Sequence, residues 1–305
     1  MEPTFYEDYY RHENGHWWFR WRYDLITKLV ASLKQDEHFR ILDAGCGTGQ
    51  MTKQLEEIGH AVGLDSANEA IEYARSRGVE RLVRGSITAP PFADGSFDCV
   101  LALDVIEHVD DDMGILTSLY EVIKPGGHLI ITVPAFDALW SEHDEINHHK
   151  RRYRSPHLKR LMEEAGFTVD RVTYCNTALY VPVLLTRKAK NFWRSLSRQR
   201  AGEHRPLQSD LGDYPRPVND ALYALMKAET RLMERIDMPF GVSILAVATR
   251  PLHSGIEVAH DKESASVLIS NGHFDHATRE PEEIKLGEVV GVGIGDESRF
   301  GASPF

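Results

Sequence analysis

Short apolar runs alternate with amphipathic segments over the first half of the chain, and this alternation constrains the fold most. The runs are rich in Val, Ile and Leu and lie at residues 39–45, 60–65, 81–86, 97–104 and 127–135. Runs of this length that are apolar throughout are typical of strands buried on both faces of a sheet. The segments between them place apolar residues three and four apart and end at Gly or Pro-Gly-Gly, as helices do. The pattern predicts an α/β protein with a mostly parallel sheet.

The pattern changes after residue 135. Residues 155–166 have helical periodicity, and two further apolar runs, 167–176 and 241–250, predict a sixth and a seventh strand. We expect these two strands to be antiparallel neighbours, with residues 177–242 inserted between them. Insertions of this length usually cover or complete a site.

The chain divides by composition into three parts. Residues 1–30 are an aromatic segment predicted as an N-terminal helix, and residues 31–250 hold the main domain with its insertion. Residues 251–305 carry ten acidic and four basic side chains, and Phe is their only aromatic residue type. Such a composition predicts an acidic, weakly ordered tail.

Charge and cysteine content exclude several classes of protein. The formal net charge of −11 argues against a general nucleic-acid coat protein, although residues 148–200 hold thirteen Lys or Arg against three acids. Cys46, Cys99 and Cys175 form neither a CxxC pair nor a disulfide framework. Neither a signal peptide nor an apolar run of membrane-spanning length is visible in the sequence. We therefore expect a reduced, cytoplasmic protein.

A glycine-rich segment, Asp43-Ala44-Gly45-Cys46-Gly47-Thr48-Gly49, lies where the first strand ends and a helix begins. Three alternating glycines let the backbone approach a ligand at the positive end of that helix. The dinucleotide pattern GxGxxG would need Gly at position 50, where Gln50 stands, so another adenosine-bearing ligand is favoured. Asp65, at the end of the second strand, is placed to accept both ribose hydroxyls; the alternative is a cap on the helix near Ala67.

Together with two other motifs, these features resemble the class I S-adenosylmethionine-dependent methyltransferases. The closest likeness is to the bacterial small-molecule group, type 11, which includes ubiquinone-biosynthesis-like enzymes. The other motifs are Pro90–Asp112, similar to the family's fourth strand and following loop, and Ile123–Gly127 before the fifth strand. The resemblance covers about Phe5 to Arg250. It implies a three-layer, Rossmann-like, seven-stranded sheet with an antiparallel last strand, S-adenosylmethionine as cofactor and S-adenosylhomocysteine as product.

The resemblance also implies a cofactor site. The glycine segment would hold the methionine end, Asp104 would lie beside the cofactor, and Ser86 would replace the family's usual adenine-binding acid as a weaker acceptor. His16–Arg22, HWWFRWR, resembles an aromatic lid element in which Trp18 shields the sulfonium and Arg22 binds the cofactor's carboxylate; the alternative is a helix packed on the sheet. The predicted cofactor contacts are Asp43, Gly45, Cys46, Gly47, Gly49, Asp65, Ser66, Ser86, Ile87, Asp104, Arg22 and Trp18.

The loop after the fifth strand is the predicted place for a general base, which an alcohol acceptor needs before methyl transfer. We expect His143 to be the base with Asp144 or Glu145 as its partner, and His148 is the alternative. His108 is predicted to be a packed histidine. The residues predicted to bind the acceptor are His149, Arg151, Arg152 and Tyr153.

A metal site is an alternative use of the histidines and acids in this region. His143, Asp144, His148 and His149 could bind zinc, and the acids at 110–112 could attract magnesium. No closed four-ligand spacing is present, so the sequence predicts no metal.

The function predicted is methyl transfer to a hydroxyl, or an amine, of a small metabolite, sugar or lipid-linked glycan intermediate. Within the insertion, residues 180–200 are apolar and then basic around Trp193, which suggests peripheral membrane contact; the alternative is a solvated helix face. A catalytically silent cofactor-binding interaction module stays open as a different class. Nucleic-acid methylation is less favoured, because no NPPY-type element is present. The oligomeric state is left open.

Overall fold

The computed structural model describes residues 3–198 and 212–252, so the predicted acidic tail lies outside the described residues beyond Leu252. Seven strands form one sheet in the order β3-β2-β1-β4-β5-β7-β6. The strands are β1 Arg40–Ala44, β2 His60–Asp65, β3 Leu82–Arg84, β4 Phe97–Leu103, β5 Ile123–Pro134, β6 Thr168–Cys175 and β7 Ser243–Thr249.

The first five strands are parallel, and β7 is antiparallel to both of its neighbours, β5 and β6. This arrangement confirms the predicted Rossmann-like sheet with its antiparallel last strand. β5 begins earlier than predicted, at Ile123, so the Pro-Gly-Gly element belongs to the strand. The carboxyl ends of β1, β2, β4 and β5 meet at one edge, where open α/β sheets bind ligands.

Successive residues of the central strands point into two separate cores. In β4, Val100 packs with one core and Leu101 with the other, and both side chains are fully buried. Helices α5 and α7 cover the first face, and α2, α3 and α9 cover the second. The helices are α1 Pro3–His12, α2 Trp17–Leu33, α3 Gln50–Leu55, α4 Asn68–Ser76, α5 Asp112–Val122, α6 Glu142–Ile146, α7 Ser155–Glu164, α8 Thr177–Arg198 and α9 Arg216–Met233.

The N-terminal segment forms two helices where the sequence predicts one. The break follows His12, and α2 starts after His16, whose ring accepts a hydrogen bond from the backbone N–H of Trp18. Helix α9 then fixes α2 in place. The Asn219 side chain accepts from Trp17 N at 2.8 Å and donates to Gly15 O at 2.7 Å.

The long insertion between β6 and β7 contains α8 and α9. Asn191 on α8 donates to the carbonyl of Trp140, which ties this helix to the segment after β5. Among the helices that the structure describes, none has both the length and the apolar character needed to cross a membrane.

Candidate active site

A cavity of about 580 Å³ lies at the carboxyl edge of the sheet. The glycine segment and the end of β4 form its floor, and aromatic side chains of α1 and α2 form one wall. The segment after β5 and the inner face of α8 form the opposite wall. The cavity therefore connects part of the predicted cofactor site to the predicted acceptor residues His149 and Arg152. Gly49 and Asp65 do not line it.

The glycine segment has the backbone geometry that only glycine adopts easily. Gly45, Gly47 and Gly49 have φ values of +81°, +53° and +81°. A Cβ at Gly45 would lie 2.5 Å from Val105 Cγ2, whereas a Cβ at Gly47 would meet no atom within 4 Å. Gly45 is thus required by packing. Gly47 leaves open space beside the backbone, and a ligand can approach it there.

Asp65 is oriented by two backbone donors. Its carboxylate accepts hydrogen bonds from Gly47 N at 3.0 Å and from Ala67 N at 2.9 Å. Each carboxylate oxygen has two acceptor sites, so capacity for ribose hydroxyls remains. The N-cap of α4 is Ala67, so Asp65 does not play the alternative role of helix cap.

Asp43 and Cys46 support the glycine segment from within the fold. Asp43 is buried and accepts a 2.6 Å hydrogen bond from the Thr52 hydroxyl. Burial raises the pKa of Asp43 to about 6 and raises the pKa of the Cys46 thiol well above its ordinary value. Both residues line the cavity.

Arg22 and Asp104 form an ion pair of 2.9 Å across the cavity floor. The guanidinium also lies 4.9 Å from the ring centre of Trp18, and all three residues line the cavity. Arg22 therefore has a carboxylate of the protein as its partner where the sequence predicted the cofactor's carboxylate. Trp18 lines the cavity, and its predicted contact with the cofactor stays a prediction.

Ser66, Ser86 and Ile87 follow β2 and β3 at the same sheet edge but do not line the cavity. Both serines are exposed. The Ser86 hydroxyl bonds with that of Thr88 at 2.7 Å. A contact of these residues with adenine stays a prediction.

Glu13 is a site residue that the sequence reasoning missed. Its buried carboxylate accepts hydrogen bonds from the Thr48 hydroxyl and the Arg77 guanidinium. The Nε of Arg77 also donates to the carbonyl of Thr48 at 2.9 Å. These contacts fasten the α1–α2 connection to the glycine segment.

Asp144 is buried in an ion-pair network on the opposite wall. It accepts a bidentate pair of hydrogen bonds from Arg152 at 2.8 and 2.9 Å, and one from Ser141 N at 2.8 Å. His149 Nδ1 lies 2.9 Å from the same carboxylate. Burial opposes ionisation, but the His149 hydrogen bond and the Arg152 charge hold the pKa of Asp144 well below its usual range.

Arg152 and His149 hold the Asp144 carboxylate, and the predicted pairing of Asp144 with His143 stays a prediction. His143 itself lines the cavity, and its Nε2 lies 3.3 Å from the Asn147 side-chain nitrogen. His148, the alternative base, is exposed and lies outside the cavity lining. Of the two candidate bases, only His143 lines the cavity.

The predicted acceptor-binding residues divide into two pairs. Residues 151–153 run beside the end of β5, where Phe136 N donates to Tyr153 O at 2.9 Å, so their side chains alternate. Arg152 faces the cavity, while Tyr153 is fully buried on the other side with its hydroxyl donating to Asp112. Arg151 also pairs with Asp112, at 2.8 Å. The prediction for Arg151 and Tyr153 is therefore wrong, whereas His149 and Arg152 line the cavity.

A second cluster on the cavity wall contains Glu107, His108 and His149. One potential ligand atom from each lies within 4.8 Å of the others. Glu107 is fully buried, and no other residue that the structure describes hydrogen bonds to its carboxylate oxygens. Burial raises the pKa of Glu107 well above its usual range and lowers that of His108 to about 4. The sequence reasoning did not join these three residues.

The remaining wall comes from α8. The residues that face the cavity follow helical spacing: Leu179, Val183, Thr186, Arg187 and Lys190. The guanidinium of Arg187 donates to the carbonyl of Leu139. This wall was predicted only as a cap somewhere within the insertion.

Comparisons with known proteins agree with this geometry. Residues 42–131 match the family model described as a methyltransferase domain. The O-methyltransferase rstn1 of Aspergillus nomiae is 31% identical over 164 residues, which cover 49% of this chain and 73% of that protein. A ubiquinone biosynthesis O-methyltransferase of Xanthomonas oryzae pv. oryzae is 33% identical over 100 residues, or 30% of this chain and 42% of that protein.

The chain spans about half the length of most of the curated relatives it matches. Among solved structures, the complex between the Haloferax volcanii Trm112 methyltransferase activator and a methyltransferase gives a likeness of fold. Its TM-score is 0.52 at 16% identity, covering 82% of this chain and 96% of the matched one. The fold, the glycine segment and these relatives confirm the predicted family and its cofactor: the chain belongs to the class I S-adenosylmethionine-dependent methyltransferases.

Proposed function

We propose that this protein transfers the methyl group of S-adenosylmethionine to a hydroxyl of a small acceptor bound in the cavity. One observation carries the proposal: a single cavity extends from the glycine segment and Asp104 to the imidazole of His143. Donor and acceptor can therefore meet in one enclosed space. O-methyltransferases among the relatives support oxygen as the atom methylated.

The donor side of the cavity fits the cofactor. Gly47 leaves room beside its backbone, and Asp65 is held with acceptor capacity for the ribose. Trp17, Trp18 and Phe19 line the wall above, where their rings exclude water from the reacting atoms. The bound cofactor supplies an electrophilic methyl group on a sulfonium sulfur. The chain's main contribution is to align the reactants and keep water out.

Proton removal is assigned to His143. As the acceptor oxygen forms its bond to the methyl carbon, the carbon–sulfur bond breaks and its electron pair stays on sulfur. The hydroxyl proton passes to the His143 ring. Asn147, whose side chain lies 3.3 Å from His143 Nε2, helps to orient that ring.

Replacement of the base tests this assignment. His143→Gln should lower kcat by about 10²–10⁴, the usual contribution of a general base, while the affinity for S-adenosylmethionine measured by calorimetry stays unchanged. His38→Gln, at an exposed histidine, is the matched control. Acceptors are supplied as fractionated cell extract with isotopically labelled methyl donor. If wild type binds the donor but methylates nothing in any fraction, the silent-module alternative is favoured.

The surface beside the cavity supports an acceptor with an apolar part, such as a lipid-linked glycan intermediate. The outer face of α8 exposes large apolar side chains, among them Leu185 at 62% and Trp193 at 68%. Lys188, also on α8, is exposed as well. An apolar stripe with nearby cations suits the surface of an anionic bilayer. The acceptor could then enter the cavity along the same helix.

Vesicle binding tests this part of the proposal. Wild type should co-sediment with vesicles containing phosphatidylglycerol and detach as salt rises, because the attraction is partly electrostatic. Trp193→Ser should reduce binding, and Leu252→Ser, at an exposed leucine away from α8, should not. Equal co-sedimentation of both variants with wild type would remove the membrane contact.

A further inference from the structure

The buried carboxylate of Glu107 lacks a partner that would explain its position. It is fully buried, and no described residue donates a hydrogen bond to either of its oxygens. Buried carboxyl groups without partners are costly, so native structures normally pair them or use them to bind a ligand. Glu107 lines the cavity, which makes a ligand accessible to it.

Two histidines supply further donors beside it. The ligand atoms of Glu107, His108 and His149 all lie within 4.8 Å of one another. The two rings are 4.7 Å apart and nearly perpendicular, at 77°. Metal–nitrogen and metal–oxygen bonds of about 2.0–2.2 Å keep two ligand atoms within about 4.4 Å. Small side-chain rotations would therefore close the three donors around one ion.

His149 has the kind of hydrogen-bond partner that metal-binding histidines usually have, a carboxylate on the ring nitrogen that does not bind the metal. Its Nδ1 pairs with the Asp144 carboxylate, which leaves Nε2 as its ligand atom. Asp144 is in turn held by Arg152 and by the backbone of Ser141. A carboxylate behind a histidine fixes the ring and its tautomer for coordination.

We propose that Glu107, His108 and His149 bind a divalent first-row transition ion, such as Zn²⁺, Mn²⁺ or Co²⁺, with its remaining positions open to the cavity. Two imidazoles and one carboxylate suit such ions better than Mg²⁺ or Ca²⁺, which prefer oxygen ligands alone. This ligand set differs from both sets considered in the sequence, where no metal was predicted. It shares only His149 with the first of them.

The role of the ion rests on the proposed function. An acceptor hydroxyl that coordinates the ion would lose its proton more easily, because a bound cation lowers the pKa of an oxygen ligand. It would also be positioned beside Asp104 and the methyl donor. The ion undergoes no redox change. The ion thus selects oxygen acceptors, and His143 removes the proton.

Cobalt binding tests the site without any measurement of activity. The full chain is stripped with a chelator and titrated with Co²⁺, whose visible absorption reports coordination by the protein. Wild type should bind one equivalent with nitrogen and oxygen ligands. Glu107→Gln and His149→Gln should each bind at least about tenfold more weakly. His38→Gln and His60→Gln, at two exposed histidines outside the cavity, should bind as wild type does.

The metal site would be overturned if wild type showed no saturable absorption on cobalt titration. It would also be overturned if Glu107→Gln bound cobalt as strongly as wild type does. Circular dichroism shows whether each variant is folded, and His108→Gln provides a further variant. Calorimetry with S-adenosylmethionine on the chelator-treated protein separates the two proposals. Donor binding without cobalt binding would remove only the metal, whereas cobalt binding without donor binding would remove the methyl-transfer function.

Discussion

The proposed donor half and the proposed acceptor half of the cavity are built in different ways. The donor half uses backbone groups from one short segment, Asp43–Gly49, and the carboxylate of Asp65, the last residue of β2. The acceptor half uses side chains from distant segments, including Asp144, Arg152 and the inner face of α8. A local sequence motif therefore encodes the donor half, whereas tertiary packing creates the acceptor half.

The largest effect expected is on stability, in the acceptor half. Asp144→Ala would leave the buried Arg152 guanidinium without its partner and should lower the free energy of unfolding by about 3–5 kcal/mol. Arg20→Ala breaks the exposed Arg20–Asp220 pair and should cost less than about 1 kcal/mol. Urea unfolding measures both. Similar losses in the two variants would show that the acceptor wall does not depend on its buried pair.

In the donor half, two glycines should respond differently to the same change. Gly49→Ala places a Cβ 2.5 Å from Ala74 Cβ at a φ of +81°, so strain and overpacking together should cost about 2–4 kcal/mol of stability. Gly47→Ala has open space and should cost about 1–2 kcal/mol, but it should weaken donor binding. Thermal melts and calorimetry separate the two losses. If Gly47→Ala and wild type bound S-adenosylmethionine with equal affinity, the cofactor would not contact the backbone at Gly47.

Asp65 should dominate donor affinity over Ser86. Asp65→Asn removes charged hydrogen bonds worth about 1.5–3 kcal/mol, which corresponds to roughly tenfold to a hundredfold weaker binding of S-adenosylmethionine. Ser86→Ala, at an exposed hydroxyl, should weaken binding by less than about fivefold, because a neutral hydrogen bond contributes about 1 kcal/mol or less. Calorimetry measures both. If Ser86→Ala weakened binding more than Asp65→Asn, then Ser86 and not Asp65 would be the main contact of the adenosine.

The smallest effect concerns the aromatic wall above both halves. Burial, with His12 nearby, lowers the pKa of His16 to about 4, and Asp213 acts in the opposite direction. The neutral ring is favoured in the folded state, so its stabilising contribution is present above the unfolded pKa of about 6.5 and is lost as pH falls towards 4.

His16→Gln should therefore flatten the pH dependence. Wild type should lose about 1 kcal/mol more than the variant between pH 7 and pH 5, after allowance for partial solvent screening. Urea unfolding at the two pH values measures the difference. Parallel losses in both proteins would show that folding does not lower the pKa of His16.

The difference between the halves also explains what sequence reasoning could predict. The seven strands and the glycine segment follow from local periodicity and from turn chemistry, so both were predicted. One contact of Asp144 also has a local sequence signal. Ser141 stands three residues before it, and this spacing is a capping box, in which the carboxylate accepts a hydrogen bond from the backbone at the start of the helix.

Other residues had no local signal. Glu13 is buried because α1 packs over the glycine segment, and its partner Arg77 lies 64 residues away in the chain. The side chains of Arg152 and Tyr153 point to opposite sides because residues 151–153 pair with the end of β5. Contacts of this kind depend on the assembled fold and not on any short stretch of residues.

The position of β7 has a consequence for biosynthesis. Among the residues that the structure describes it is the last strand, yet it lies between β5 and β6 and pairs with both. A chain still emerging from the ribosome therefore leaves an edge of β5 unpaired until residue 249 is available, and such edges invite aggregation. Premature termination after the glycine segment but before that point yields a product that chaperones or proteases must handle, even though its glycine segment is complete.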